Sequence, residues 1–202
     1  MAKIKPHPDP PEDIDRRKLP IVTKLGKSQL YRVHLSHKDA VFFGKSGANR
    51  WDDPKGQYGV LYTGIDEYCA FIEVFGHATG VRLIEEDDLE KRGMSIIPVA
   101  RPLRLVDLRG KGLARIGADS RICDCDVEIS KRWSRAFFSH PSRPDGVLYR
   151  ARHDPSRFSV ALFERAGKKL GLEQVMIDSF MNPDHEKLLA ELLDHYGFGI
   201  NT

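Results

Sequence analysis

The sequence of 202 residues contains no long apolar run, few cysteines and no marked excess of charge of either sign. A helix that crosses a bilayer needs roughly 18 or more consecutive apolar residues, and no run reaches that length. Residues 1–11 are polar and rich in proline, which is not the basic-then-apolar pattern of a secretory signal. These absences predict a cytoplasmic protein that has no membrane segment.

The cysteine content and the charge balance exclude two further classes. Three cysteines are too few for a disulfide framework, and Cys69 lies in an apolar run where a reduced, packed thiol is usual. The 32 basic and 29 acidic residues leave a net charge of +3, which is too small for a general nucleic-acid surface. We therefore expect reduced thiols, no direct nucleic-acid binding and only local anion sites.

The length and composition predict one folded domain with an N-terminal extension. A chain of 202 residues, of which 41% are hydrophobic, suits a single core. Residues 1–28 contain five prolines and many charges, which favours neither a strand ladder nor burial. We expect residues 1–28 to form an extended arm, on the body or on a partner, and residues 29–202 to form a single catalytic domain.

The apolar patterns predict a mixture of strands and helices. The predicted strands are residues 30–35, 59–62, 94–99, 103–108, 147–149 and 158–163, with 172–180 as a further candidate. The predicted helices are 67–77 after the N-cap Asp66, 127–138 before Pro141, and a last one that follows Asn182 and Pro183 and ends at Gly197. Residues 43–50 contain two glycines, which permit tight turns and predict a loop.

Glu73 is the most unusual residue of the chain. It is the only charged residue between Tyr68 and Gly76, on a helix that is otherwise too apolar to have an ordinary solvent face. Its neighbours Cys69 and Ala70 are small and leave room for a ligand. Two interpretations stay open at this point: a functional carboxylate, or one that meets the surface or pairs with a structural arginine.

Arg32, Arg50 and Tyr62 are weaker candidates when each is taken alone. An arginine fork binds two phosphate oxygens at once and keeps its charge, but most arginines lie on the surface. A tyrosine on a short strand belongs to the core more often than to a site, although its ring can stack on a flat cation and its hydroxyl can donate. Only their combination is specific.

A metal site is not predicted. Cys123 and Cys125 are separated by one residue, whereas a zinc knuckle uses a Cys-x₂-Cys pair, and no second pair follows. His140 and His153 are further candidate ligands. The spacing favours a chain without bound metal.

Two basic segments, 131–135 and 150–153, mix charged and aromatic residues in the manner of nucleic-acid binders. On the predicted helix Arg132 and Arg135 are three residues apart and share one side. An exposed, solvated face is the simpler interpretation.

Several short blocks of this sequence resemble the signatures of RES domains. The N-terminal blocks are Leu30-Tyr31-Arg32-Val33, Asn49-Arg50-Trp51, Val60-Leu61-Tyr62-Thr63 and Ala70-Phe71-Ile72-Glu73. The C-terminal blocks are residues 145–155, which include Tyr149, and Val160-Ala161-Leu162-Phe163. Together they extend over about residues 29–165.

The resemblance implies an α+β fold: a compact mixed-sheet domain like that of ADP-ribosyltransferases, with flanking helices. It also implies the toxin of a bacterial toxin–antitoxin pair, which cuts the nicotinamide–ribose bond of NAD⁺ by phosphorolysis or hydrolysis. NAD⁺ is then the substrate, inorganic phosphate a potential co-substrate, and no prosthetic group is expected. The implied partner is a cognate antitoxin, with a homo-oligomer of the complex left open.

Matched position by position, the resemblance assigns catalytic roles to Glu73, Arg50 and Tyr62. The substrate-binding residues that it implies are Tyr31, Arg32, Arg50 and Tyr149. One position departs from the family pattern, because Ala151 stands where a serine is usual. Two alternatives stand beside NAD⁺ degradation. The first is a protein mono-ADP-ribosyltransferase that uses the same cleft, an activity that the resemblance implies for a minority of the family. The second, favoured by the missing hydroxyl, is a RES-like binding module with weak catalysis.

Overall fold

The computed structural model describes residues 7–24, 28–78, 80–171, 175–177 and 179–202. Its strands are β1 (Ile21–Lys24), β2 (Gln29–Leu35), β3 (Val60–Gly64), β4 (Leu83–Glu85), β5 (Arg92–Pro98), β6 (Leu103–Asp107), β7 (Gly146–Arg150), β8 (Phe158–Phe163), β9 (Val175–Ile177) and β10 (Gly199–Asn201). Its α-helices are α1 (Glu67–Phe75), α2 (Glu86–Lys91), α3 (Leu113–Ile116), α4 (Val127–Ser139) and α5 (Glu186–Tyr196).

Eight of the strands form one mixed sheet in the order β1-β6-β7-β8-β3-β2-β5-β9. Strands β6 and β7 are parallel, and the other neighbours are antiparallel. Strands β4 and β10 form a separate parallel pair. This architecture of one large sheet with several helices confirms the predicted α+β class.

The strongly patterned elements agree with the sequence prediction. The structure confirms the helix after Asp66, although it ends at Phe75, and the central helix before Pro141. At the C-terminus Asn182 caps a short 3₁₀ turn that leads into α5, and Gly197 ends that helix in the left-handed conformation, with φ of 66°. Of the candidate strand 172–180, the structure has β9, whereas residues 172–174 and 178 lie outside the described residues.

The central strands are buried on both faces, which explains their continuous apolar runs. Along β8, Ala161 and Phe163 pack in one core with Trp133 of α4, whereas Val160 and Leu162 pack in a second core on the other face. Each of these side chains is fully buried. Strand β8 and its neighbours therefore form a rigid centre for the elements around them.

Helix α1 packs in a third core, around the fully buried Phe71. The Asp66 carboxylate accepts a hydrogen bond from the backbone N–H of Cys69 (2.8 Å) and begins the helix. Gly64, at the end of β3, lets the helix approach closely, since a Cβ there would lie 2.7 Å from the backbone nitrogen of Ala70. The position of α1 against β3 places Glu73 beside the sheet.

The N-terminal segment lies on the body over the residues that the structure describes. Strand β1 pairs with β6, and Leu19 is buried in the core that contains Trp133. The Trp133 indole N–H donates to the carbonyl of Pro8 (2.9 Å). The predicted arm also includes residues 1–6 and 25–27, which lie outside the described residues.

None of the helices within the described ranges combines the length and the apolar character that a membrane crossing requires.

Candidate active site

A cleft of about 440 Å³ opens between α1 and the start of α4. Strands β2 and β3 share a single register position, Tyr31 opposite Gly64, and side chains of both strands line the cleft. The six site residues proposed from the sequence all line it: Tyr31, Arg32, Arg50, Tyr62, Glu73 and Tyr149. The fold therefore brings together residues from two strands, a loop, a helix and the end of a third strand.

The Glu73 carboxylate is held by backbone groups. Its Oε1 accepts hydrogen bonds from the N–H groups of Arg152 (2.8 Å) and His153 (3.2 Å), in the loop after β7. Across the described ranges no side-chain nitrogen of a lysine, arginine or histidine lies within 4.0 Å of this carboxylate, so it forms no ion pair there with a structural arginine. Its second oxygen, Oε2, has no hydrogen-bond partner among those same residues and is available to a ligand.

Arg32 is fixed by main-chain carbonyls. One terminal nitrogen, Nη1, donates to the carbonyl oxygens of Ala40 (2.6 Å) and Asp39 (3.3 Å). Burial lowers the pKa of the guanidinium, but arginine stays charged at any physiological pH. Because no carboxylate of the described chain lies within 4.0 Å, this positive charge is not neutralised locally.

Arg50 is fixed by a main-chain carbonyl and a side-chain hydroxyl. Its Nη1 donates to the carbonyl of Cys125 (2.7 Å) and to the hydroxyl of Ser130 (2.9 Å). As far as the structure describes the chain, no acidic group lies within 4.0 Å of this guanidinium either. Two oriented and unneutralised guanidinium groups in one cleft favour an anionic ligand.

The hydroxyl of Tyr62 is hydrogen-bonded to other groups of the protein. The hydroxyl donates to Asp52 Oδ1 (2.9 Å) and accepts from the backbone N–H of Trp51 (3.0 Å). Burial, with the nearby Asp52 charge, raises the pKa of Tyr62 well above its ordinary value. The ring is therefore the part of Tyr62 that is left to contact a ligand.

Asp52 is a structural partner of the site that the sequence analysis missed. It is 1% exposed, and one oxygen, Oδ2, accepts from the backbone N–H of Asn49 (3.0 Å) and from the hydroxyl of Ser46 (3.3 Å). Through these bonds it joins the loop that carries Arg50 to Tyr62 on β3. An acid beside a tryptophan in a polar loop carries no distinctive sequence signal.

Replacing Tyr62 by phenylalanine is expected to lower the free energy of unfolding by about 1–3 kcal/mol, because Trp51 N–H and Asp52 each lose a buried partner. Urea titration of both proteins measures the difference. Tyr31→Phe is the control: its hydroxyl makes one long bond of 3.3 Å to Gln29, which is solvent-exposed, and its loss is expected to cost less than about 0.5 kcal/mol. Equal losses in the two variants would contradict the assignment of the Tyr62 network.

Tyr149 also lines the cleft and is 8% exposed. Its ring centroid lies 5.5 Å from that of Trp51, and burial raises the pKa of its hydroxyl well above the ordinary value. Opposite it in the sheet is Ser159, whose hydroxyl lies 3.3 Å from the thiol of Cys69. Burial also raises the pKa of that thiol, to about 12, so it remains protonated.

Two histidines beside Glu73 also line the cleft and were not assigned to it from the sequence. The rings of His77 and His153 meet edge to face, with centroids 4.9 Å apart. His153 Nε2 is buried and has no hydrogen-bond partner in the described part of the chain. Burial lowers the pKa of His153, while the Glu73 charge opposes that shift.

His153 is expected to make the protein less stable in mild acid. Its pKa in the folded state lies below the ordinary 6.5, so the unfolded chain binds the proton more readily. The contribution of neutral His153 to the free energy of unfolding is fully present above the pKa that this histidine has in the unfolded chain. It is lost as the pH falls below that value. His153→Gln should therefore reduce the decline in unfolding free energy between about pH 7 and pH 5, measured by urea titration at each pH. Identical declines in both proteins would exclude this role. Burial also lowers the pKa of His34. Because both proteins contain His34, its effect is the same in each and does not account for a difference between them.

The structure does not bring the candidate metal ligands Cys123, Cys125, His140 and His153 together into a metal site among the described residues. In the described ranges no group of three or more His, Cys, Asp and Glu side chains is placed to hold a metal ion. Cys123 lines the cleft, whereas His140 is bonded to the carbonyl of Arg17 (3.1 Å) and to Ser142 (2.8 Å).

Comparison with known proteins assigns the family. Residues 29–183 match the RES domain. The chain is 30% identical over 114 residues to "Probable toxin y4kH" of Sinorhizobium fredii, a match that covers 56% of this chain and 86% of that protein. A chain in the crystal structure of the M. tuberculosis MbcT–MbcA toxin–antitoxin complex has a similar fold, with a TM-score of 0.63 and 19% identity over 89% of this chain and 96% of that one. The chain belongs to the RES domain family.

Proposed function

We propose that this chain is the toxin of a toxin–antitoxin pair and that it degrades NAD⁺ by cutting the nicotinamide–ribose bond. Membership of the RES family supports the proposal. The relative from Sinorhizobium fredii is named a probable toxin, and the similar fold comes from a toxin–antitoxin complex. The assignment of NAD⁺ comes from the family resemblance, and the chemistry of the cleft supports it.

The observation that carries the proposal is the pairing of one oriented carboxylate with two guanidinium groups that have no local counter-ion. Glu73 has its Oε2 available in the cleft that Arg32 and Arg50 also line. NAD⁺ needs this combination, because its pyrophosphate is anionic and its ribose becomes cationic when the nicotinamide leaves. The cleft volume of about 440 Å³ is also in the range of small-molecule sites.

The reaction breaks the bond between ribose C1′ and the pyridinium nitrogen. The nicotinamide takes the bonding electron pair and leaves as a neutral molecule, while positive charge builds on the ribose as in glycoside cleavage. The Glu73 carboxylate stabilises that charge, and its fixed orientation avoids reorganisation during the reaction. An oxygen of phosphate or water then forms the new bond to C1′; when water attacks, its proton is released to solvent.

The other residues position the substrate. Arg32 and Arg50 bind the pyrophosphate, or the attacking phosphate, through the nitrogens that are not used by carbonyls. The rings of Tyr62 and Tyr149 present flat surfaces to the nicotinamide and ribose, and Tyr31 contributes a third ring at the edge of the cleft. Holding the reactants together in this way supplies the proximity contribution to the rate.

The proposed chemistry requires no prosthetic group, because the pyridinium of the substrate activates its own leaving group. We infer a cytoplasmic toxin, since NAD⁺ is plentiful there and the three cysteines are free. The cognate antitoxin would restrain it by covering the cleft, and the complex would set any oligomeric state.

The direct test is to incubate the purified chain with NAD⁺, with and without inorganic phosphate, and to identify the products by ³¹P NMR and mass spectrometry. We expect loss of NAD⁺ with release of nicotinamide. Phosphorolysis gives phosphorylated ADP-ribose, hydrolysis gives free ADP-ribose, and a protein transferase gives ADP-ribose bound to protein. Unchanged NAD⁺ after prolonged incubation would refute the proposal and favour a binding module.

A further inference from the structure

A second, smaller cavity of about 130 Å³ adjoins the cleft, and we refer to it as the annex. Cys123, Arg150 and Arg152 line both cavities, so the annex continues the cleft past the end of β7. Arg109 and Ala151 line the annex and not the cleft. The family's usual serine at position 151 would therefore face this cavity.

The annex carries an excess of positive charge. Three arginines line it, Arg109, Arg150 and Arg152, against one acid, Asp124. Arg109 forms a two-point ion pair with Asp107, with distances of 2.8 and 3.0 Å. Within the described residues no carboxylate lies within 4.0 Å of the guanidinium of Arg150 or Arg152. Two positive charges at this cavity thus lack a local counter-ion.

Two of the three guanidinium groups are fixed against the same aromatic ring. The central guanidinium carbons of Arg109 and Arg150 lie 4.4 and 5.6 Å from the ring centroid of Phe158. Arg150 also donates from Nη1 to the carbonyl of Pro155 (2.8 Å). Stacking on a ring orients a guanidinium without using its N–H donors, so Arg150 keeps the donors other than Nη1 for a ligand.

The size of the annex limits the ligand. Since a water occupies about 30 Å³ of liquid, the annex has room for about four waters. A tetrahedral oxyanion fits that volume. The methyl group of the buried Ala151 leaves the space clear.

We infer that the annex binds a phosphate group through Arg150 and Arg152, with Arg109 adding positive charge. The inference extends the proposed function, because the annex opens beside the cleft assigned to NAD⁺. Two sources share this chemistry: free inorganic phosphate, placed to attack the ribose, and a phosphate carried by the nucleotide, such as the 2′-phosphate of NADP⁺.

The test is a calorimetric titration of the full chain with inorganic phosphate at constant ionic strength. The double variant Arg150→Gln/Arg152→Gln removes the two charges. The control Arg101→Gln/Arg115→Gln removes the same charge at exposed residues that line neither cavity. We expect equal affinity in wild type and control and at least about tenfold weaker binding in the double variant, the size expected for lost charge-assisted hydrogen bonds. No saturable binding by the wild type, or equal affinity in all three proteins, would overturn the inference.

Two further measurements separate the sources. If free phosphate is the ligand, phosphate accelerates NAD⁺ loss in the wild type and much less in the double variant. If the nucleotide carries the phosphate, NADP⁺ competes with inorganic phosphate in the titration and binds more tightly than NAD⁺, and both effects disappear in the double variant. The titration does not depend on catalysis, so a chain that binds phosphate but leaves NAD⁺ intact would refute the proposed function and not the phosphate site.

Discussion

Glu73→Gln is expected to reduce the rate of NAD⁺ loss by about 10²–10³-fold or more, the effect of removing one preorganised electrostatic group from an active site. Glutamine keeps an oxygen that can accept the two N–H bonds from Arg152 and His153, so the local structure should persist. What is lost is the negative charge that the proposed mechanism places next to the ribose. Nicotinamide release, followed by chromatography, measures the rate.

The matched control for this experiment is Glu90→Gln, which changes an exposed glutamate on α2. It should retain wild-type activity, and thermal unfolding should show that both variants remain folded. Full activity of a folded Glu73→Gln protein would remove this carboxylate from the mechanism.

Arg50→Ala is expected to lower kcat/KM for NAD⁺ by about 10–100-fold, because a charge-assisted hydrogen bond contributes about 1.5–3 kcal/mol. The loss should appear mainly in KM if the guanidinium binds the pyrophosphate equally in the ground state and the transition state. Arg50→Lys separates charge from geometry, since lysine keeps the charge but lacks the planar fork.

Arg115→Ala is the control for Arg50→Ala, because Arg115 is an exposed arginine on α3 away from the cleft. Wild-type kinetics are expected for it. If Arg50→Ala shows the same kinetics as this control, then Arg50 does not contact the substrate, and the two bonds to Cys125 and Ser130 are its whole function.

The elements that could be predicted are those whose signal is local. Helix α1 has a capping residue and an apolar stripe, and α5 has a capped start and a glycine end. Strand β1 was not predicted, because it is short, lies in a proline-rich segment and depends on pairing with β6, which is about 80 residues away in the sequence. The strand order of the sheet is non-local for the same reason, and no pattern within a single strand specifies its neighbour.

The residues of the cleft could be proposed because family blocks in the sequence point to them, but their partners could not. Glu73 looked unusual as a charge on an apolar helix, yet its hydrogen bonds come from main-chain N–H groups, which every residue except proline possesses. His153 contacts His77, which lies far away in the sequence, and Asp52 joins a loop to Tyr62 on the strand that follows it. Their positions follow from the tertiary structure alone.

The two backbone hydrogen bonds to Glu73 also affect which residues of this protein can change during evolution. Since the two amides belong to the backbone at positions 152 and 153, the side chains there are free to change without reorienting the acid. Proline is the exception, because it lacks the N–H group. Selection for a new ligand can therefore act on this stretch of chain while the acid keeps its orientation.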